Sequence, residues 1–461
     1  MKEALGSAAL KMAYRYLDSN PEKNAPKLMR LVERLDADGS MQGQLSAVHK
    51  ALDDKEGNWY KLILSLWEDI DPGVRGALFR NFIVNATAVG GRRQQKLQEE
   101  YGCNVPWAIL MDPTSACNLR CVGCWAAEYG NRMSMSLETL DDIVRQGKEL
   151  GVYFYVLSGG EPLVRKKDVL RLCEMNPDCF FTAFTNGTLI DEEFADEMLR
   201  VKNFAPAISV EGFEEETDSR RGAGTFAQVV RAMEILKRKK LLFGASCCYT
   251  SQNTASIGSE AFFDDMIGRG AKFIWFFTYM PVGRDAVPEL MVSAEQREFM
   301  YRQVRAFRET KPVFTLDFWN DGEYVKGCIA GGRRYLHINA GGDIEPCAFI
   351  HYADASIYRH TLLEALQSPL FMQYHESQPF NDNHLRPCPL LDNPEALARM
   401  VDASGAKSTD MIAPEDVHAL CGKCASAAEK WAVTADRLWA GQPDIDGAPA
   451  SAKDQTLSLG T

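Results

Sequence analysis

Met111-Asp112-Pro113-Thr114-Ser115-Ala116-Cys117-Asn118-Leu119-Arg120-Cys121-Val122-Gly123-Cys124-Trp125 is the stretch that decides the fold of this chain. It follows an apolar run that predicts a β-strand, so its thiols are expected on a loop at the end of that strand. We call residues 112–125 the cysteine loop. The loop spaces its thiols as CxxxCxxC, and an odd total of 13 cysteines in a long chain favours metal binding over disulfides.

The cysteine loop suits an iron–sulfur cluster with one open position. A four-iron, four-sulfide (4Fe–4S) cluster takes four cysteines, so Cys117, Cys121 and Cys124 alone would leave one iron free for another ligand. A structural zinc ion needs a fourth protein ligand, but the nearest histidines in sequence are distant. The nearest spare thiol is Cys103, and a strand of about 3.3 Å per residue over residues 106–112 would place it roughly 23 Å away. A chance cluster of cysteines is the other alternative.

The loop resembles that of the radical S-adenosylmethionine (radical SAM) enzymes, which have this spacing and often an aromatic residue next, as at Trp125. The resemblance implies that the free iron chelates the amino and carboxylate groups of SAM. One electron then cleaves SAM to methionine and a 5'-deoxyadenosyl radical, which abstracts hydrogen from a substrate. A low-potential electron donor such as flavodoxin or ferredoxin is implied as well. The protein's part is to bind and orient SAM and the substrate and to exclude water.

Composition limits the class of protein. The chain of 461 residues is 46% hydrophobic, which is enough for a large core and two or three domains. A net charge of −12 argues against a nucleic-acid partner, which requires a basic face. Lys11 and Arg15 interrupt the N-terminal segment before a signal-peptide core forms, and no apolar run reaches the roughly 20 residues of a membrane span. We therefore expect a cytoplasmic protein.

Residues 1–104 are predicted to form a helical domain, because apolar side chains recur there at helical spacing. The plain interpretation is a cap packed on the catalytic domain. The alternative is a surface for an apolar substrate, a peripheral membrane contact or a carrier protein. The aromatic-rich stripe in question consists of Trp59, Tyr60, Leu62, Ile63, Leu66, Trp67, Phe79, Phe82, Ile83 and Val84.

From about residue 105 short apolar runs alternate with amphipathic helices, the pattern of parallel βαβ units. This predicts an α/β fold with a partial (β/α)6 TIM-like barrel over residues 105–312, whose functional groups lie on the loops after the strands. Strands are expected near residues 107–112, 152–157, 179–184, 205–210, 243–249 and 272–278. Helices are expected near residues 136–150, 165–175, 191–202, 225–240, 257–268 and 293–310.

Two predicted strand ends carry motifs that resemble those of the family. In Ser158-Gly159-Gly160-Glu161-Pro162 the glycines let the backbone approach a ligand, and Glu161 offers a carboxylate. The motif resembles the GGEP motif of the family, which binds the methionine amino group. Asn186, within Thr185-Asn186-Gly187, resembles the TNG turn of the family. Ordinary turns rich in Gly and Asn are the alternative for both.

The fourth strand ends at Ser209 and Glu211, and Arg220 and Arg221 follow soon after. A hydroxyl group and a guanidinium suit the ribose and the carboxylate of SAM, since Arg can clamp a carboxylate with two hydrogen bonds. By similarity to the family Arg221 is the clamp, and Arg220 is expected on the surface. The family often has Asp where Glu211 stands.

Further along the chain, Tyr279-Met280-Pro281-Val282-Gly283-Arg284 follows the sixth strand and is expected to pack either on adenine or in the core. Four more cysteines fall within helix or strand patterns and are predicted to be small core residues. They are Cys173, Cys179, Cys247 and Cys248.

The region of residues 313–440 holds five cysteines. Cys328, Gly342 and Cys347 form the pattern C-x13-G-x4-C, and a hairpin is predicted around Ala340-Gly341-Gly342. This pattern resembles the start of the SPASM or twitch extension of radical SAM enzymes, which carries auxiliary Fe–S clusters. Cys388, Cys421 and Cys424 supply the other thiols, so one auxiliary 4Fe–4S cluster is expected. A structural zinc ion is the alternative.

The C-terminal region also departs from its relatives. No cysteine follows Cys424 at the short spacing of a full SPASM domain, so a second auxiliary cluster is not expected. Ala348 stands where the sulfatase-maturing branch has Asp, which argues against that activity. Most histidines here are expected at the surface or hydrogen-bonded, and His351 is the candidate ligand or proton donor. Residues 441–461 are predicted to be a disordered tail.

These observations imply a radical SAM enzyme with one auxiliary cluster, acting on a peptide or coupling a lipid or other apolar substrate. The N-terminal helices do not resemble the winged-helix peptide binder of some relatives and fit an apolar substrate better. The contrasting hypothesis is a non-catalytic Fe–S or zinc protein that senses redox state. It would account for the cysteines but not for the motifs at the strand ends.

Overall fold

The computed structural model describes residues 12–35, 42–283 and 286–441. Three of the predictions lie outside the described residues: the N-terminal segment without a signal peptide, Arg284, and the tail from residue 442 onward. Among the helices that are described, none is both long and apolar enough to cross a bilayer.

The described chain before the sheet is helical. Asp71 begins one of these helices, because its carboxylate accepts hydrogen bonds from the backbone N–H groups of Gly73 and Val74. The buried guanidinium of Arg75 ties the region together by donating to Asp18 (2.7 Å) and to the carbonyl of Ile70 (2.8 Å). The helices are α1 (12–19), α2 (Pro21–Leu35), α3 (Gln42–Asp53), α4 (Asn58–Asp69), α5 (Pro72–Ala77), a π-helix (Leu78–Val89) and α6 (Gly90–Tyr101).

The main sheet is a partial barrel of parallel strands, as the sequence predicted. Its strand order is β11-β9-β8-β1-β2-β3-β4-β5-β6-β7, and each strand from β1 to β7 is parallel to the next. All six predicted barrel strands are confirmed within two residues, and β7 extends the series. The strands are β1 (Ala108–Met111), β2 (Phe154–Leu157), β3 (Phe180–Thr185), β4 (Phe204–Ser209), β5 (Gly244–Tyr249), β6 (Phe273–Thr278) and β7 (Phe314–Asp317).

The C-terminal region adds strands to the same sheet. The predicted hairpin is confirmed as β8 (Tyr335–Ile338) and β9 (Asp343–Glu345), which are antiparallel. The sequence did not predict that β8 pairs in parallel with β1, with Tyr335 opposite Ala108. β11 (Ala355–Ser356) pairs with β9 in this sheet, whereas β10 (Tyr352–Ala353) and β12 (Lys407–Ser408) form a separate antiparallel pair. The edge strands of the described sheet are β7 and β11. The predicted domain boundaries stay a prediction.

Helices follow the barrel strands at the predicted places, and further helices form in the C-terminal region. Ser136, Asp191 and Ser293 begin three of them by accepting a hydrogen bond from a backbone N–H in the first turn. The helices are α7 (Leu137–Glu149), α8 (Lys166–Met175), α9 (Glu192–Val201), α10 (Glu214–Arg221), α11 (Thr225–Arg238), α12 (Thr254–Ile257), α13 (Glu260–Arg269), α14 (Ala294–Thr310), α15 (Gly322–Val325), α16 (Leu362–Leu366), α17 (Pro369–Ser377), α18 (Pro394–Ser404) and α19 (Val417–Ala440). Short 3-10 helices span Trp125–Tyr129, Pro162–Arg165 and Pro288–Leu290.

Buried apolar side chains form one large core between the sheet and its helices and a second core in the C-terminal region. Cys173, Cys179 and Cys247 lie in the first core, as predicted. Cys421 and Cys424, on α19, lie in the second.

Candidate functional site

The cysteine loop packs directly against the Gly-Gly-Glu motif that follows β2. The N–H groups of Gly160 and Glu161 donate to the carbonyls of Thr114 (3.0 Å) and Ala116 (2.8 Å). A Cβ on Gly160 would lie 2.3 Å from the carbonyl oxygen of Ala116, and one on Gly159, whose φ is +99°, would lie 2.4 Å from that of Thr114. The two glycines therefore let the backbone of this motif approach the cysteine loop closely, whereas the sequence had suggested only a close approach to a ligand.

Glu161 is the buried centre of a hydrogen-bond network at the carboxyl end of the barrel. Its carboxylate accepts from the hydroxyl of Thr185 (2.7 Å) and from the N–H groups of Leu163 (2.9 Å) and Asn186 (2.7 Å). Burial raises the pKa of Glu161, and these donors oppose the rise. The amide of Asn186 also donates to Asn118 of the cysteine loop. A carboxylate has about four acceptor sites, so Glu161 keeps one for a ligand.

A cavity of about 510 Å³ lies inside the barrel, beside the cysteine loop. Ligand pockets typically measure about 300–1,000 Å³, so this one has room for a nucleoside and part of a substrate. At the carboxyl end its wall includes Glu161, Arg221 and the three thiols of the loop. Aromatic side chains line the rest, among them Phe184, Trp275, Phe277, Phe318, Trp319 and Phe349.

Two arginines at the cavity wall share one buried carboxylate. Glu211 accepts a hydrogen bond from Nε of Arg221 (2.8 Å) and pairs with Arg220 (2.8 Å). Burial raises the pKa of Glu211, but the two guanidiniums outweigh it and hold that pKa below its usual range. The prediction that Arg220 lies on the surface is wrong: its side chain is 14% exposed, because Glu211 neutralises its charge. Nη1 of Arg221 also lies 3.9 Å from Sγ of Cys121.

The predicted ligand-binding residues therefore divide into two groups. Gly159, Gly160, Glu161, Asn186, Ser209, Arg221 and Trp125 line the cavity together. Glu211 is not among the described residues that line the cavity. It is buried behind the two arginines that pair with it. It pairs with both guanidiniums, and its predicted contact with the cofactor stays a prediction.

Strand alternation brings Cys248 to the cavity. Successive side chains of a strand point to opposite faces, so Ser246 and Cys248 line the cavity while Cys247 lies in the core. The prediction that Cys248 is a core residue is wrong. Tyr279 also lines the cavity and contacts the cysteine loop, since a Cβ on Gly123 would lie 2.6 Å from the Tyr279 hydroxyl.

A buried charged network, which sequence reasoning missed, joins the cysteine loop to the C-terminal region. His337 is fully buried between Asp112 (Nε2–Oδ2 3.0 Å) and Glu345 (Nδ1–Oε2 2.6 Å). Burial lowers the pKa of His337, but the two carboxylates raise it to about 10, so the imidazole is charged at neutral pH. The hydroxyls of Tyr129 (2.8 Å) and Thr409 (2.5 Å) also donate to Glu345.

His351, the predicted ligand or proton donor, lies beside this network with both ring nitrogens engaged. Nδ1 is 2.6 Å from Asp410, and Nε2 is 3.1 Å from the carbonyl of Ala348. Neither nitrogen remains for a metal ion, so the predicted ligand role is wrong. The Trp125 ring stands edge-on to His351 and to His337, with centroids 6.0 and 5.8 Å apart. Trp125, the last residue of the cysteine loop, thus packs against the C-terminal region.

The C-terminal cysteine set, by which we mean Cys328, Cys347, Cys388, Cys421 and Cys424, borders the same cavity. The first three line the cavity, and the last two lie behind them in the second core. Burial raises the pKa of the Cys347 thiol to about 12, and the hydroxyl of Tyr335 donates to its sulfur (2.8 Å). Burial also raises the pKa of Cys388 and Cys421 to about 11.

Both cysteine sets fit Fe–S clusters by their donor chemistry. Among the described residues no three Cys, His, Asp or Glu side chains converge closely enough to hold a single metal ion. Thiolate-only sets select Fe–S clusters or zinc, and a four-iron cube holds its thiolates at separate corners. Burial raises the pKa of the Cys117 thiol to about 11. Cluster binding would therefore release protons from this set.

Known proteins resemble this chain in the same region. Residues 111–249 match the model of the Radical SAM superfamily. The AdoMet-dependent heme synthase of Methanosarcina barkeri is 23% identical over 280 residues, which are 54% of this chain and 78% of that protein. The mycofactocin maturase MftC of Mycobacterium ulcerans is 29% identical over 307 residues, which are 61% of this chain and 80% of that protein.

A solved structure supports the fold. Streptococcus suis SuiB bound to its precursor peptide SuiA superposes with a TM-score of 0.53 at 18% identity, covering 65% of this chain and 75% of that one. Together with the parallel strand order, this likeness confirms the predicted partial barrel between a helical N-terminal part and a C-terminal cysteine-rich part.

Proposed function

We propose that this chain, a radical SAM enzyme whose cofactors are SAM, a 4Fe–4S cluster that binds it and an auxiliary 4Fe–4S cluster, abstracts hydrogen from an apolar substrate in the barrel cavity. When reduced, the SAM-binding cluster supplies methionine and a 5'-deoxyadenosyl radical from SAM. The aromatic lining of the cavity carries the proposal. A peptide backbone there would leave polar groups unpaired at about 1–3 kcal/mol each, whereas a hydrocarbon chain has none to satisfy.

Cys117, Cys121 and Cys124 are the proposed ligands of the SAM-binding cluster. Three thiolates leave one iron open, which is where the amino and carboxylate groups of SAM would bind. Support comes from the position of these thiols on the cavity wall, opposite the aromatic lining.

The polar groups around the loop are proposed to hold SAM in one orientation. Glu161 accepts from the ammonium group with its remaining acceptor site, and Arg221 clamps the carboxylate. Ser209 is proposed to meet the ribose, and Asn186 lines the same part of the cavity. Trp125, Gly159, Gly160 and Glu211 keep these groups in position through the contacts described above.

Four of the five thiols in the C-terminal cysteine set are proposed to hold the auxiliary cluster. Cys328, Cys347 and Cys388 border the cavity, so this cluster would lie next to the substrate. That position suits electron relay to or from a substrate radical. Which of Cys421 and Cys424 completes the set is decided by iron content in single Cys→Ala variants.

The remaining parts of the proposal concern organisation and partners. We assign residues 1–104 to a helical domain, 105–312 to the radical SAM core and 313–440 to the auxiliary-cluster domain. A low-potential donor such as flavodoxin or ferredoxin would reduce the protein in the cytoplasm. Contact of the helical domain with a membrane or a carrier protein stays part of the proposal, although Tyr60 and Leu62 of the predicted stripe are buried.

A peptide is the second candidate substrate. It is favoured by the similarity to a mycofactocin maturase and by the peptide-bound state of SuiB. A peptide would have to reach the cavity with a side chain only, because the aromatic walls offer few backbone partners.

Deuterium transfer separates these candidates. The full chain, reconstituted anaerobically, is given dithionite, SAM and a perdeuterated long-chain fatty acid or phospholipid, and 5'-deoxyadenosine is analysed by mass spectrometry. Deuterium in 5'-deoxyadenosine supports the apolar substrate. If deuterium is instead transferred only from a labelled short precursor peptide encoded beside the gene, the peptide is the substrate. Absence of 5'-deoxyadenosine in every reaction would return the redox-sensing alternative. The control is the variant with Cys117, Cys121 and Cys124 all changed to Ala, which should form none.

A further inference from the structure

The barrel cavity has a second mouth at the end opposite the cysteine loop. The first residues of three strands line it: Ala108 of β1, Phe154 of β2 and Phe314 of β7. Phe82 of the π-helix lines it as well. In parallel strands these positions lie together at the amino end of the barrel. Phe314 and Val325 at this mouth are 41% and 37% exposed, so the lining reaches the surface.

The cavity is long and apolar between its two ends. Phe154, at the start of β2, and Ser158, just after its end, both line the cavity, and four residues of extended chain at about 3.3 Å each span roughly 13 Å. Phe82 packs edge-on against Trp107 and Phe154 at the amino end, with centroids 5.5 and 5.1 Å apart. The mouth is therefore walled by aromatic rings that hydrocarbon can cover.

Positive charge stands at the rim of this mouth. Arg334 is exposed and lines the cavity, and its backbone carbonyl is fixed by the N–H groups of Trp107 (2.8 Å) and Ala108 (2.9 Å). The guanidinium of Arg333 lies close by, since burial and the charge of Arg334 lower the pKa of Arg333. Arg333 is held by the carbonyls of Cys328 and Val325 (2.8 Å each), which leaves Arg334 available.

Within the part of the chain that the structure describes, Arg334 forms no ion pair. Glu323, on the same short helix as Val325, is buried and paired with Arg305. The basic rim is thus a local feature of a chain whose net charge is −12.

We propose that this mouth admits the alkyl chain of an anionic amphiphile, with its carboxylate or phosphate head bound by Arg334 and its chain extending toward the cysteine loop. The inference rests on the proposed function and deepens it by naming the substrate class and its direction of entry. A guanidinium suits either oxyanion, and the aromatic tunnel beyond it suits a chain without hydrogen-bonding groups.

Chain length provides the first test. Binding of saturated fatty acids of increasing length to the cluster-loaded full chain is measured by calorimetry, without SAM or reductant. Each buried CH₂ should tighten binding about fourfold, until the tunnel is filled and the affinity levels off. Affinity that is independent of length overturns the proposal.

The head group provides the second test. Arg334→Gln should weaken binding of every acid about tenfold, while Arg399→Gln, an exposed arginine on α18, should leave it unchanged. Neutral alcohols of the same lengths should bind to the unaltered chain as weakly as the acids bind to the Arg334→Gln variant. Equal binding of acids and alcohols to the unaltered chain contradicts the proposal. Lysophospholipids run in parallel distinguish a phosphate head from a carboxylate by which binds more tightly.

A plug provides the third test. Ala108→Phe fills the tunnel at its amino end, so long chains should bind no better than short ones while iron content and melting temperature show that the variant is folded. If Ala108→Phe is unstable, Val156→Phe on the neighbouring strand serves instead. Unchanged length dependence in a folded plug variant overturns the proposal. Because binding is measured without turnover, a failure of radical chemistry would leave these results intact and is recognised separately.

Discussion

The two cysteine sets of this molecule border one cavity but are built in opposite ways. The cysteine loop holds Cys117, Cys121 and Cys124 within a short segment, surrounded by polar groups such as Glu161 and Arg221. The C-terminal cysteine set comes from distant segments, and part of it is buried in an apolar core. The difference agrees with the two proposed roles, an open site for a cofactor that must bind and leave and a second site for a cluster that stays.

The sharpest way to separate the two sets is to remove one thiol from each. Cys121→Ala should abolish formation of 5'-deoxyadenosine, since two thiolates do not hold the SAM-binding cluster, and should leave the iron of the auxiliary cluster in place. Cys328→Ala should do the reverse, losing the auxiliary iron while SAM cleavage persists. Iron analysis and product assay check both.

The control for this pair is Cys173→Ala, a buried core thiol that lines neither site. It should keep both clusters. Loss of all iron from Cys121→Ala would contradict the independence of the two sets.

The polar surroundings of the open site can be broken at Glu211. Glu211→Gln leaves Arg220 and Arg221 without their buried counter-charge, which should lower the free energy of unfolding by about 3–5 kcal/mol and weaken SAM binding. Glu215→Gln, an exposed neighbour on α10, should change that free energy by no more than about 0.5 kcal/mol. Urea unfolding and SAM titration are the measurements. Equal stability of the two variants would contradict the role of Glu211.

The junction between the two sets can be tested by pH. The pKa of His337 is raised from 6.5 to about 10, so its stabilising charge is fully present below pH 6.5 and is lost as the pH rises through about 10. The stability difference between the unaltered chain and His337→Asn should therefore shrink as the pH rises from 7 to 10. Thermal melting across this range checks it. A difference that does not change with pH would mean that His337 is neutral in the folded protein.

The smallest expected effect concerns the closed site. Tyr335→Phe removes the hydroxyl that donates to Cys347, and hydrogen bonds to cluster sulfurs stabilise the reduced, more negative state. The reduction potential of the auxiliary cluster should fall, while that of the SAM-binding cluster should not change. Potentiometry followed by electron paramagnetic resonance (EPR) measures both. Tyr358→Phe, at an exposed tyrosine, is the control and should shift neither potential.

The sequence predicted what depends on local pattern. Apolar runs bounded by turn residues located the six barrel strands, and the spacing of the three thiols located the cysteine loop beside Gly160 and Glu161. These features are local because a parallel strand and the loop after it are contiguous in the chain.

Contacts between distant segments escaped prediction. The pairing of β8 with β1 brings His337 against Asp112, and nothing in either segment indicates the partner. Arg220 was expected at the surface because its buried partner, Glu211, is recognised only in three dimensions. The face of β5 on which Cys248 lies was equally hidden, since Cys247 and Cys248 are adjacent and chemically identical.

The central claim is that three thiolates hold a cluster whose open iron faces the cavity. It is tested most directly by EPR of the dithionite-reduced protein with and without SAM, in the unaltered chain and in the variant with Cys117, Cys121 and Cys124 changed to Ala. The account predicts two reduced 4Fe–4S signals, of which one changes on addition of SAM and is absent from the variant. Signals that do not respond to SAM, or a SAM-sensitive signal that survives in the variant, would contradict it.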